Sequence, residues 1–177
     1  RLARLIGNTA FKSLKSRRET TVRNLDVCFP EWSAEQVQDN APLVFVDQML
    51  GVFETLNAWY SPKWFKGRVS IDGLEHLQKA QAQGRGALLL GTHSTLLDAG
   101  GYACAQFFDP DVVYRPQNNP LLDMLIYRCR ATIYTHQIDH DDMRGLIRHL
   151  KNGRAIWYSP DQDFGLKQGV MAPFFGT

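Results

Sequence analysis

Apolar positions change their spacing part-way along this chain, and the change separates a helical opening from a layered body. Residues 1–28 read as helical, and Phe29-Pro30 breaks that run. Ser33-Ala34-Glu35-Gln36 fits the S-x-x-Q capping box, in which the first and fourth side chains satisfy each other's backbone donors at a helix start. The helix it opens reaches about Tyr60, because Leu43, Val46, Met49, Leu50, Phe53, Leu56 and Trp59 recur at 3.6-type spacing and Ser61-Pro62 ends the pattern. After that, short apolar runs alternate with amphipathic stretches. Strands are expected at 68–72, 86–91, around 112–114, at 132–134 and at 154–158. Helices are expected at 74–83, from about 95 to 107, at 119–130 and at 141–152. Such alternation predicts an α/β layered sandwich, a largely parallel or mixed sheet flanked by helices and preceded by an N-terminal helical segment. In sheets of that kind sites gather where strands end and helices begin, which selects the segments after Leu90, Tyr114 and Tyr158.

The composition fits that picture. A chain of 177 residues suits one domain, and 44% hydrophobic with 21% charged residues excludes disordered, collagen-like and coiled-coil classes. Cys28, Cys104 and Cys129 are too few and too scattered for a disulfide framework or a thiolate zinc site, and read as reduced thiols. Net charge is +2, but residues 1–24 hold seven basic side chains against the single acid Glu19, so the rest of the chain is mildly acidic. A basic head on an acidic body points to an anionic surface as partner, or else to a solvated helix face. It lacks the interleaved aromatic platform of nucleic-acid binders, so no nucleic-acid partner is expected. No window reaches the roughly 18 consecutive apolar residues of a membrane span. The opening Arg1 and the close at Phe174-Phe175-Gly176-Thr177 suggest a fragment, with an N-terminal membrane anchor and a C-terminal part lying outside it.

Each of the three segments offers chemistry and a plainer alternative. The first, Gly91-Thr92-His93-Ser94-Thr95-Leu96-Leu97-Asp98, has an H-x-x-x-x-D pattern. Residues five apart on one helix are separated by about 140°, so the two side chains meet only if His93 lies on the loop and Asp98 in the first turn of the helix. Asp98 would then hold one imidazole nitrogen and poise His93 as a general base. Alternatively, Thr95-x-x-Asp98 is itself a capping box. Ser94 beside the histidine raises serine hydrolysis, but the chain has no G-x-S-x-G elbow. In the second segment Arg115 is placed to clamp a phosphate or carboxylate, while Asn119-Pro120 reads first as an N-cap followed by proline. In the third, Asp161 and Asp163 follow a buried strand and read either as substrate-positioning carboxylates or as a Pro-Asp turn closed by Gly165. His136, Asp139, His140, Asp141 and Asp142 invite a metal site, but their surroundings argue for a strand end and a helix cap, so no metal is expected.

Read in order, these segments resemble the lipid A biosynthesis acyltransferases of Gram-negative bacteria, most closely the late lauroyl type. The resemblance runs from about Arg17 to Phe175. It rests on Arg23-Asn24-Leu25-Asp26-Val27-Cys28-Phe29-Pro30-Glu31, on 51–59 and 73–86, and on the box at His93 and Asp98. Tyr114-Arg115-Pro116 with Asn119-Pro120 follows, and then Trp157-Tyr158-Ser159-Pro160-Asp161-Gln162-Asp163-Phe164-Gly165. The resemblance implies a glycerolipid-acyltransferase-like fold and transfer of an acyl chain from acyl carrier protein to a hydroxyl of a Kdo-bearing lipid A precursor, at the cytoplasmic face of the bacterial inner membrane. It implies no cofactor, the acyl carrier protein thioester being a co-substrate. By the same resemblance His93 deprotonates the acceptor hydroxyl, Asp98 orients it, Arg115 binds a phosphate or oxyanion, and Asn119, Asp161 and Asp163 support the substrate. Lauroyl members usually carry Glu at the position of Asp98. The basic head would lie on the anionic leaflet, with Trp32, Trp59, Tyr60, Trp64 and Phe65 as interfacial anchors unless helix packing claims Trp59. The alternatives are a related transferase acting on another glycolipid or phospholipid, and a non-catalytic lipid-binding member.

Overall fold

Ser33 starts the long helix as its sequence dictates: Gln36 N donates to Ser33 Oγ at 3.2 Å and Ser33 N donates to Gln36 Oε1 at 2.8 Å. This helix, α3 (Ala34–Tyr60), follows α1 (Leu2–Ser13) and α2 (Lys15–Cys28). The expected single run over 1–28 is thus two helices, parted at Leu14. Arg18 closes the break by donating from Nη1 to the carbonyls of Phe11 and Lys12, both at 3.1 Å. The computed structural model describes residues 1–162, 169, 170 and 172–176. Two compact units result: Arg1–Phe53 with the described part of Asp163–Thr177, and Glu54–Gln162. Within the first unit α1 lies close on α3, since a Cβ at Gly7 would fall 2.7 Å from the Val46 Cα, and Phe11 meets Phe45 edge-on at 5.4 Å. Ala3, Val37, Ala41 and Val46 are buried there.

The second unit is built on a sheet. After a 3-10 turn (Pro62–Phe65) come α4 (Leu74–Ala82), β1 (Ala87–Leu90), α5 (Leu97–Cys104), β2 (Pro110–Tyr114), α6 (Pro120–Arg130), β3 (Gln137–Asp139), α7 (Met143–Lys151) and β4 (Ala155–Tyr158). The strand order is β1-β4-β2-β3, and every pairing is parallel. Neighbouring residues on a strand serve opposite faces. Ile156 joins Ile138 and Leu146 on one side, with Val113 and Leu150 packed against them. Val112 joins Ile133 and Tyr134 on the other, with Trp59, Tyr102 and Trp157. Helices therefore pack on both faces, although Leu88 and Leu90 of the edge strand β1 stay exposed. Trp59 belongs to this core, which favours its helix-packing role over an interfacial one.

Two expected strands do not form. Residues 68–72 run past α3 with Val69 packed on the cluster of Ala58, Phe65 and Ala99, but pair with no strand. Residues 131–133 form a turn after α6. Ile133 and Tyr134 are apolar because they pack beneath α5, and pairing begins only at Gln137. Burial and strand formation leave the same apolar signature over three residues.

One carboxylate is fully buried at the start of β2. Asp111 accepts from Arg154 Nε at 3.0 Å and Nη2 at 2.6 Å, from His136 Nδ1 at 2.9 Å and from His149 Nδ1 at 2.8 Å. These residues stand at the N-terminal ends of β2, β3 and β4 and on α7, so a single charge ties four elements. The histidines that invited a metal reading are thereby divided: His136 belongs to Asp111, whereas His140 bonds Asp139 at 3.1 Å. Burial alone would raise the Asp111 pKa; the bonds from Arg154, His136 and His149 outweigh it and hold it below the ordinary carboxylate value. Its stabilising effect is accordingly present at neutral pH and is lost only as pH falls through that depressed pKa. Asp111→Ala should lower unfolding stability by about 3–5 kcal/mol, the usual effect of removing one partner of a buried ion pair, read by urea titration at pH 7.

Candidate active site

β1 and β4 are adjacent and parallel, so their C-terminal ends emerge side by side. The loop after β1 carries His93 and the loop after β4 carries Asp161. One oxygen of Asp161 accepts from the His93 backbone N–H at 2.7 Å, and the other lies 2.6 Å from His93 Nδ1. A carboxylate can only accept, so Nδ1 carries a proton, and in the neutral ring Nε2 keeps its lone pair. Both side chains are about one-third exposed, at 35% and 36%. The slight burial of Asp161 would raise its pKa, but the two bonds from His93 outweigh that and hold it below the usual carboxylate range. Asp161 is therefore ionised at neutral pH, and its hold on the ring weakens only as pH drops through that lowered value. Chemically, the pair is an oriented imidazole base that can take a proton and be stabilised as imidazolium.

Asp98 is not the partner of His93. Helix α5 begins at Leu97 with Leu96 as N-cap and no side-chain cap, so the capping box at Thr95 is not formed either. Instead Arg130, in the last turn of α6, grips Asp98 with Nε at 2.6 Å and Nη2 at 3.1 Å. This planar two-point pair is about 15% exposed and bridges the start of α5 to the end of α6. Burial would lower the Arg130 pKa; the bonds and charge of Asp98 reverse that and raise it. The guanidinium also lies 5.8 Å from the centre of the Tyr114 ring. Tyr114 is itself pushed up to about 12, first by burial and then by its bond to the Asp123 carboxylate.

The remaining expected residues are placed as follows. Arg115 lies exposed at the C-terminal end of β2, the strand on the other side of β4. Asn119 is the N-cap of α6, its Oδ1 accepting from Leu121 N at 3.0 Å and Leu122 N at 3.2 Å, so this side chain serves the helix. Asp163 lies outside the described residues. Arg130 is the residue that sequence reasoning missed. Arg128 and Arg130 both occupy the last turn of α6, and only the packing that buries Cys129 between them separates an exposed cation from one aimed at Asp98.

Removing Arg130 strands a mostly buried carboxylate. Arg130→Ala should lower unfolding stability by about 3 kcal/mol, the lower end for a buried pair, in a denaturant titration. Arg130→Lys should recover only part of it, because an ammonium cannot make the two-point bond.

The model of the bacterial lipid A biosynthesis acyltransferase family matches residues 1–177. The lauroyltransferase of lipid A biosynthesis from Escherichia coli (strain K12) is 35% identical over 173 residues, covering 97% of this chain and 56% of that protein. The palmitoleoyltransferase of the same strain is also 35% identical, over 177 residues with the same shares. A lipid A biosynthesis acyltransferase from Haemophilus influenzae (strain ATCC 51907 / DSM 11121 / KW20 / Rd) is 34% identical over 163 residues, 88% of this chain and 50% of that protein. The chain thus spans about half the length of the curated relatives it matches. It belongs to the bacterial lipid A biosynthesis acyltransferases.

Proposed function

We propose that this protein transfers a fatty acyl chain from acyl carrier protein to a hydroxyl of a Kdo-bearing lipid A precursor. The observation that carries the reading is the His93–Asp161 pair at the C-terminal edge of the sheet, in a chain of this family. The acceptor hydroxyl gives its proton to His93 Nε2 while its oxygen attacks the thioester carbonyl. The carbon–sulfur bond then breaks, and the imidazolium returns the proton to the departing thiolate. No acyl-enzyme is formed. Asp161 orients the ring and stabilises the imidazolium, the part expected of Asp98. The Asp98–Arg130 pair fixes the helix on which the catalytic loop ends. Arg115, at the neighbouring strand end, would bind a phosphate of the acceptor or the developing oxyanion.

The membrane-facing side of the reading rests on the first helices. Leu2, Leu5 and Leu14 are more than half exposed beside Arg1, Arg4, Lys12, Lys15 and Arg17. This combination suits the anionic cytoplasmic leaflet of the inner membrane, each cation near it contributing about 1 kcal/mol. No described helix is long and apolar enough to cross a membrane.

Relatives named for lauroyl and for palmitoleoyl chains are equally similar, so the donor must be determined by experiment. The full-length protein should be offered lauroyl-, myristoyl- and palmitoleoyl-acyl carrier protein with the precursor, and its product read by mass spectrometry. One acyl mass should be gained, and His93→Ala should reduce the rate by about 10²–10⁴-fold, the range for a positioned base. No gain with any donor would sink the lipid A reading and direct attention to other glycolipid or phospholipid acceptors. Equal gain in both proteins would remove His93 from the chemistry. Separately, replacing Arg1, Arg4, Lys15 and Arg17 by Gln should reduce co-sedimentation with phosphatidylglycerol vesicles, and salt should weaken the parent's binding in the same way.

A further inference from the structure

Trp157 stands where the two loops of the site have to meet. In the β1–β4 ladder it lies opposite Leu89, and its ring packs on the face that carries Val112, Ile133 and Tyr134. A Cβ at Gly91 would fall 2.6 Å from Trp157 Cε2 and 2.8 Å from Cζ2, so the backbone two residues before His93 rests directly on the indole. A Cβ at Gly100 of α5 would come within 3.5 Å of Cη2 at the far end of the same ring. On the other loop, the indole Nε1–H donates to Ser159 Oγ at 3.3 Å, two residues before Asp161. One rigid side chain therefore lies against the segment that carries His93, faces the helix that follows it, and bonds the segment that carries Asp161.

We propose that Trp157 is a positioning residue that sets the separation of the His93 and Asp161 loops, and that glycine is required at position 91 because the catalytic loop must lie flat on its indole. The His93–Asp161 bond is about one-third exposed, and water competes for both groups. A bond of that kind keeps one geometry only when the backbones on either side are fixed. Paired strands fix them as far as Leu90 and Tyr158, and Gly91 N donates to the Tyr158 carbonyl at 2.9 Å. At that limit of the ladder the indole adds van der Waals contact on one loop and a hydrogen bond on the other. Trp157 does not touch the reacting atoms. Its catalytic consequence rests on the acyl-transfer reading; its effect on the His93–Asp161 bond does not.

The test compares Gly91→Ala and Trp157→Phe in the full-length protein, by steady-state kinetics and by proton NMR of His93. Misplacing a catalytic group by about 1 Å costs roughly 10²-fold, so each variant should lose about 10- to 100-fold in kcat with KM changed less than about threefold. The parent should show a far-downfield His93 Nδ1–H signal from its charge-assisted bond to Asp161, assigned by its loss in His93→Ala. That signal should move upfield or vanish in both variants while thermal unfolding remains a single cooperative transition. An unchanged signal in both folded variants, or its absence from the parent, would overturn the proposal. So would activity lost only in proportion to the folded fraction. Two variants are used so that if one fails to fold, the other decides. If the signal shifts as expected but the parent transfers no acyl group, the positioning inference stands and the acyl-transfer reading fails.

Discussion

Neighbouring parallel strands must end on the same edge of their sheet, and the pairing of β1 with β4 is the constraint on which this site depends. It sets two loops 68 residues apart in sequence beside each other and allows Asp161 to bond both the backbone and the ring of His93. Without that register an imidazole and a carboxylate, each one-third exposed, would have water as partners. Backbone pairing thus turns two ordinary side chains into a bonded pair with Nδ1 as the donor.

The sheet divides its charges by edge. At the N-terminal ends of the strands Asp111, fully buried and holding four donors, ties β2 and the approaches to β3 and β4 to α7. Those bonds join separate elements, so the buried charge contributes to stability. At the C-terminal ends the carboxylate of Asp161 meets solvent, and its imidazole partner keeps one nitrogen for an incoming group. Apolar layers lie between them. Their part is to fix distances, most visibly where Trp157 lies under Gly91 and where Tyr134 lies so close to Gly101 that a Cβ there would be 2.7 Å from Cζ.

Asp98 shows how a motif can be right in position and different in contact. It occupies the first turn of α5, where a carboxylate is favoured by the helix dipole. From there its bonds run to Arg130, 32 residues on, rather than to the histidine five residues back. Aspartate reaches less far than glutamate would. The Arg130 pair uses both of its oxygens and fixes the start of the helix behind the loop that carries His93.

What the sequence determined by itself was local. The capping box at Ser33 and Gln36, the apolar stripe of α3, the apolar runs of β1 and β4, and Asn119 as the cap of α6 all express forces acting over one to four residues. Alternation of strand and helix was enough to call for a parallel sheet, and the sheet was enough to select the segments after Leu90, Tyr114 and Tyr158. Tertiary structure alone decided the partners. Strand order cannot be read from spacing, so nothing in the sequence said that β4 rather than β2 lies beside β1, or that Asp161 rather than Asp98 meets His93. The apolar residues at 132–134 and 68–72 likewise looked like strands until packing gave them other neighbours. Contacts between residues far apart in the chain are fixed by how layers stack, and no local pattern carries that information.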